Sequence, residues 1–282
     1  QLDVPVGIIT AAVNGSRIET WTSKEAYEHS PVFGPQLKEG EGKMDGMIPG
    51  GRYETMVLPL IPFAIKGCLW YQGESNLNNP QVYKRLFPAM VRSWRKEWNQ
   101  GEFPFYYVQI APYDYGRKNA DKTEAAEIRQ VQLECLKEIP NAGMVVTADI
   151  GNRTCVHPSD KESVGKRLAL WALAKTYQRS GTPYSGPLYK SFTIDKEKII
   201  VEFDYAEMGM TSYDREIVGF EIAGKDGIYY PAKAVLFDNK TKVMLTSDQV
   251  PEPVGVKYGF RNYQPLNLFS NFGLPASPFV AK

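Results

Sequence analysis

Residues 67–98 read GCLWYQGESNLNNPQVYKRLFPAMVRSWRKEW, and the stretch changes its periodicity part-way along. Gly67 to Gln72 is a short apolar run, the pattern of a strand covered on both faces. Gly73 breaks it, and a polar turn follows. Asn79-Pro80 is a cap and first-turn pair. From there Val82, Leu86, Met90, Trp94 and Trp98 recur every fourth residue, the stripe of an amphipathic helix. Pro88 lies inside that stripe and should kink it. Strand, glycine turn and helix in succession are the repeating element of an α/β sheet.

The same grammar extends outward. Val6–Val13 (VGIITAAV), Phe105–Ala111 (FYYVQIA) and Gly143–Ile150 (GMVVTADI) read as further buried strands. Ala125, Ile128, Val131 and Cys135 mark a second helix. Val164, Leu168, Trp171 and Ala174 mark a third, which should stop at Ser180-Gly181. Residues 1–183 are therefore expected to form a parallel sheet flanked by helices. Residues 30–55 interrupt it with a Gly- and Pro-rich connection, long enough to suggest a functional loop or lid.

After Pro183 the runs become short and β-rich: Ile199–Phe203, Val218–Ile222, Ala234–Phe237 and Val254–Tyr258. Asp226-Gly227 and Asp238-Asn239 separate them as turns. Residues 184–282 are expected to be a small antiparallel β module.

Bulk properties exclude several partners. Thirty-three basic residues face 32 acidic ones, which gives no electrostatic footprint for nucleic acid or an anionic membrane. No apolar run reaches the ~20 residues of a membrane span. Cys68, Cys135 and Cys155 are widely spaced, so neither a zinc site nor a disulfide framework is implied. Gln1-Leu2-Asp3 carries neither an initiator methionine nor a signal pattern, and an apolar run follows at once. An upstream segment is expected.

The sequence has two histidines. His29, in a polar stretch, reads as exposed or capping. His157 follows the strand ending at Ile150 by a short loop, and loops at the carboxyl ends of strands are where α/β sheets bind ligands. A histidine there can serve as a general base near neutral pH, or be a loop residue without a role. Trp70–Asn76 (WYQGESN) is the second candidate. Its amides could donate to an oxyanion and its glycine could let backbone approach a ligand; equally, Ser75 or Asn76 could cap the next helix. The third is Asn14-Gly15-Ser16-Arg17, where the Gly15 amide is a possible oxyanion donor and a plain turn is the alternative. Neither Ser16 nor Ser75 lies in a GxSxG elbow, and neither is taken as a nucleophile.

WYQGESN at 70–76, VPVGII at 4–9 with NGSRIETW at 14–21, and VHPSDK at 156–161 resemble the ordered blocks of the sialate O-acetylesterase family. So do Phe220–Gly224 and the C-terminal Asn267-Leu268-Phe269 with Gly273–Phe279. The resemblance runs over essentially the whole chain, as the C-terminal two-thirds of such a protein. It implies an SGNH-hydrolase (flavodoxin-like) core at 1–183, without the Gly-Gln-Ser-Asn block that carries the family's serine. That block is absent from residues 1–282, so the nucleophile is expected on an N-terminal segment.

By the same resemblance His157 is the catalytic histidine. Gly15 and Asn14 match the glycine turn, and Gln72, Gly73, Glu74 and Asn76 match the amide-bearing turn of the oxyanion site. Arg129 and Gln132 match positions facing the pocket, where Arg129 could pair with Glu74 or a substrate carboxylate. Two departures stand out. Asn14 replaces a glycine, and Thr154 and Cys155 occupy positions where an orienting Asp is usual. Asp149 and Asp160 are the candidates for that acid, the alternative being that it is absent and a serine–histidine dyad is steadied by a backbone carbonyl.

The activity implied is that of a serine carboxylesterase. It would remove O-acetyl groups from sialic acid or a related sugar through an acyl-enzyme, without metal or organic cofactor, in an extracytoplasmic (periplasmic or secreted) setting. The alternatives are an acetylxylan-type polysaccharide esterase of the same chemistry and an inactive glycan-binding chain. For the latter, Tyr113, Tyr115 and Tyr229 could stack on sugars, although packing explains them as readily.

Overall fold

The computed structural model describes residues 2–29, 48–116 and 118–282. The expected connection at 30–55 therefore lies largely outside the described residues. Its last part is helical: the helix at 51–52 runs into a π-turn over Tyr53–Val57. The chain divides into two compact units, one of residues 1–65 with 85–101 and the other of residues 66–84 with 102–282.

The first unit is helical. It holds α1 (Ile18–Trp21), α2 (Lys24–Glu28) and most of α3 (Pro80–Trp98). Ile18, Trp21, Tyr27 and Trp94 are buried. The Trp94 indole donates to the Trp21 carbonyl at 3.1 Å, and Ser23 and Ser93 share a hydrogen bond of 2.6 Å. Helix α3 runs unbroken through Pro88. Proline cannot donate to the carbonyl four residues back, and that carbonyl, on Lys84, instead lies 3.9 Å from the Cys135 thiol as acceptor.

Val6–Val13 is not a strand. The run belongs to no ladder and is exposed, Ile8 at 87%. An apolar run records what a segment could bury, whereas a strand also needs a neighbour to accept its backbone hydrogen bonds. No described strand pairs with this one.

The second unit is built on three parallel strands in the order β1-β2-β3: β1 (Cys68–Trp70), β2 (Phe105–Val108) and β3 (Ala142–Val145). Trp70 pairs with Tyr107, and Tyr107 with Met144. The central strand is buried at every residue. β1 is an edge and leaves Leu69 62% exposed, so the expectation of cover on both faces fails for that strand.

Helix α4 (Glu124–Cys135) connects β2 to β3, and α5 (Lys161–Trp171) follows β3. Tyr106, Val108, Val145, Val164 and Trp171 form one buried cluster between sheet and α5. Gly143 permits it, because a Cβ there would stand 2.4 Å from the Trp171 ring.

The C-terminal residues form antiparallel sheets. One contains β4 (Leu188–Asp195), β5 (Lys198–Asp204), β9 (Lys233–Phe237) and β10 (Lys242–Thr246) in the order β4-β5-β10-β9. A second contains β7 (Phe220–Ala223), β8 (Tyr229–Pro231), β11 (Gly255–Tyr258) and β13 (Phe279–Ala281) in the order β13-β11-β7-β8. A two-stranded pair joins β6 (Met210–Thr211) and β12 (Phe269–Ser270). The expected turn at Asp238-Asn239 is present. Both residues have positive φ, 52° and 54°, as a tight hairpin requires.

Candidate active site

Three loops leave the carboxyl ends of β1, β2 and β3; Gln72, Gly73, Glu74, Asn76, Asp149 and His157 lie on the first and third, while Arg129 and Gln132 lie on α4. The loop after β1 is braced from outside. Gln72 donates to the Asn76 side-chain oxygen at 2.7 Å. The Gln72 carbonyl accepts from Gln132 Nε2 at 3.1 Å and from the Tyr83 hydroxyl at 3.3 Å. Gln132 Oε1 in turn accepts the Ile110 amide at 2.9 Å. Gln132 is wholly buried and ties this loop to the end of β2. Gly73 is required here, since a Cβ would fall 2.6 Å from Ile110 Cγ2.

The loop after β3 is folded from within. Asn152 Oδ1 accepts from the Thr154 amide at 2.8 Å, the Thr154 hydroxyl at 3.1 Å and the Cys155 amide at 3.1 Å. This is the turn that a short amide side chain makes with its own backbone. The Cys155 thiol lies 3.2 Å from the His157 carbonyl as donor. Arg153 reaches the loop after β2, where its Nε is 3.3 Å from Asp114 Oδ2. Asp114 is buried, and its other oxygen accepts the Asn119 amide at 2.6 Å. His157 stands exposed on this loop, and its ring makes no hydrogen bond to a described residue.

Neither sequence candidate for the orienting acid bonds to His157. Asp149 is held in a two-pronged ion pair by Arg167, at 2.7 and 2.6 Å. Asp160 is the N-cap of α5 and accepts from both the amide and the hydroxyl of Ser163. The acid that does feel His157 is Glu74. Burial raises its carboxyl above the ordinary 4.5, partly offset by the positive fields of Lys161 and His157.

Arg129 does not pair with Glu74. It is fully buried, and Nη2 donates to the Arg261 carbonyl. Nε and Nη1 have no hydrogen-bond partner, and burial lowers the guanidinium to about 10. Arg129 and Gln132 thus sit inside the protein as braces. In the first unit, Gly15 has a φ of 64°, in a turn with Asn14. Ser16 Oγ donates to the Val13 carbonyl at 2.8 Å and accepts the Trp21 indole at 2.9 Å. His29 caps α2, Nδ1 lying 2.7 Å from the Glu25 carbonyl.

Of the three stacking candidates, Tyr113 and Tyr115 pack edge-to-face with centroids 4.7 Å apart. Tyr229 lies beneath the Lys257 ammonium at 3.8 Å. Sequence reasoning gave no role to Asp114, Arg153 or Lys161. Only the dipeptide Asn152-Arg153, a turn-former beside a cation, hinted at the second loop's anchoring.

The parallel sheet with its flanking helices is an α/β core, and the comparison with a solved carbohydrate acetylesterase makes it one of the SGNH-hydrolase type. A carbohydrate acetylesterase from Xanthomonas citri superposes with a TM-score of 0.84 at 33% identity, over 95% of this chain and 59% of that one. The description "carbohydrate esterase, sialic acid-specific acetylesterase" matches residues 1–174, and the chain belongs to that family. It is 27% identical to the sialate O-acetylesterase of Pongo abelii and 26% to that of Homo sapiens, over 99% of its length and 58% of theirs. The Mus musculus enzyme matches the whole chain at 25% identity, over 61% of its own length. The chain thus spans about three-fifths of these relatives. Among the described residues, no helix is long and apolar enough to cross a membrane.

Proposed function

We propose that the protein hydrolyses O-acetyl esters on sialic acid or a related sugar through an acyl-enzyme, in an extracytoplasmic setting, and that its nucleophile is a serine outside residues 1–282. The observation that carries this reading is His157. It is an exposed imidazole with unbonded ring nitrogens, on the loop at the carboxyl end of β3 and electrostatically coupled to Glu74. His157 takes the proton of the attacking serine and returns it to the departing sugar oxygen. Glu74 fills the role that Asp149 and Asp160 leave open, stabilising the imidazolium as it forms.

For the oxyanion, Gln72 Nε2 is engaged by Asn76. The Gly73 amide donates to no described residue and is the better donor of that turn. The part given to Gly15 and Asn14 rests on the sequence resemblance.

The test is turnover of p-nitrophenyl acetate by the full-length protein and its His157→Ala variant, together with labelling by a serine-directed fluorophosphonate. The variant should lose on the order of 10²–10⁴-fold in kcat, and the label should map to a serine outside 1–282. Near wild-type turnover in the variant sinks the assignment of His157. A label on Ser16 or Ser75 sinks the placement of the nucleophile.

A further inference from the structure

Lys161 is the first residue of α5, four residues beyond His157. A cation there faces the positive end of the helix dipole, so helix stability does not explain it. Nor does an ion pair. Lys84, Lys96, Lys166, Lys225 and Lys242 each lie within salt-bridge distance of a carboxylate, and Lys161 has no such partner among the described residues. The acids beside it in sequence are committed elsewhere: Glu162 pairs with Lys166 at 2.6 Å, and Asp160 caps the helix.

The side chain instead crosses to the loop after β1. Its ammonium sits 4.7 Å from the centre of the Tyr71 ring and donates to the Tyr71 hydroxyl at 3.4 Å. Burial keeps that phenol protonated, so the ring face and the neutral hydroxyl both attract the cation. Tyr71 stands three residues before Glu74 on one segment, and His157 stands four residues before Lys161 on the other. The contact therefore joins the two segments whose acid and histidine have to cooperate.

It also carries a charge. Glu74 is faced by Tyr71 on its own loop, by Tyr83 from α3, by Tyr115 from the loop after β2, and by His157 and Lys161 from beyond β3. Burial holds the three phenols neutral. Of the two basic side chains, Lys161 acts more strongly than His157 against the burial of the Glu74 carboxyl. Lys161 is exposed, so solvent tempers that influence.

We propose that Lys161 is a positioning residue of the ester hydrolysis: through Tyr71 it clasps the start of α5 to the Glu74 loop and holds its positive charge beside the Glu74–His157 pair. The inference rests on the reading above for the roles of Glu74 and His157. Lys161 acts through these two side chains, not on the ester.

The experiment uses the full-length protein and its Lys161→Met, Lys161→Arg and Tyr71→Leu variants. The Glu74 carboxyl is titrated by carbon NMR after labelling of the glutamate carboxyl carbons, its signal assigned by its loss in Glu74→Gln. Turnover of p-nitrophenyl acetate, an uncharged ester, is followed against pH. Lys161→Met should raise the Glu74 midpoint by about one unit, the scale of removing one nearby opposite charge. The acid limb of kcat/KM should move up with it, and kcat should fall about tenfold while KM stays unchanged. Lys161→Arg keeps the charge and can stack on Tyr71, so it should retain the wild-type midpoint and limb. Tyr71→Leu should resemble Lys161→Met, because the lysine loses its seat. Thermal melting of Lys161→Met should be unchanged or higher, given the helix dipole, which separates lost activity from a lost fold. An unmoved Glu74 midpoint or acid limb in Lys161→Met, an effect on KM alone, equal shifts in Lys161→Arg, or wild-type behaviour of Tyr71→Leu overturns the clasp. Near wild-type turnover in His157→Ala sinks the esterase reading while the carboxyl titration still reports on Lys161, so the two can fail separately.

Discussion

The loops after β1 and β3 flank the same central strand, yet they are held in opposite ways. The first is fixed by side chains from elsewhere: Gln132 from α4, Tyr83 from α3 and the close approach of Ile110. The second folds on its own Asn152 and touches the loop after β2 through one exposed arginine. The contrast separates two tasks. Backbone donors need a rigid frame, whereas a histidine that must pass protons needs solvent access and a nearby charge more than tight packing.

If the first loop depends on its braces, Gln132→Leu should do the most damage. It strands the Ile110 amide and weakens the bonding of the Gln72 and Val108 carbonyls. A loss of about 3 kcal/mol is expected, measured by chemical denaturation. A loss under ~1 kcal/mol would mean that water replaces the side chain. Gly73→Ala comes next, at about 2 kcal/mol for the overlap with Ile110, and it should lower kcat as the turn shifts.

Glu74→Gln is expected to have the opposite sign, raising stability by about 1 kcal/mol at neutral pH while lowering activity. The raised pKa means that the folded state prefers the protonated acid. Wild-type stability from this group is therefore full below the ordinary 4.5 and is lost as pH rises through the raised value. The gap in melting temperature between variant and wild type should be near zero in acid and open towards neutrality. A gap that widens in acid would reverse the assignment. The smallest effect belongs to Arg153→Ala, at about 0.5 kcal/mol because the arginine is solvent-exposed. Its mark should be a lower kcat without a matching change in KM.

The same contrast explains what could be read from the sequence. The strands at 68–70, 105–108 and 142–145 and the three long helices follow from apolar spacing, because their neighbours are supplied by the sheet itself. Val6–Val13 has the same composition and forms no strand, since pairing depends on a partner that composition does not reveal. His157 was legible because histidine is rare here and its loop follows a strand. Arg129 and Gln132 match pocket-facing positions by resemblance, and in the structure both are buried. Whether a polar residue on a helix faces a cleft or braces a carbonyl depends on the distance to other strands. Asp149 and Asp160 looked available because Arg167 and Ser163, their partners in space, carry no signal of pairing in the sequence.

The ion pair between Asp149 and Arg167 has an evolutionary consequence. With the Asp160 cap, it pins both ends of the histidine loop to α5, so a change in the residues between is expected to leave sheet and helix in register. Relatives could lengthen, shorten or rewrite 150–159 around a fixed histidine while sheet and helix stay in register. New substrate preferences could then arise there at little cost to folding.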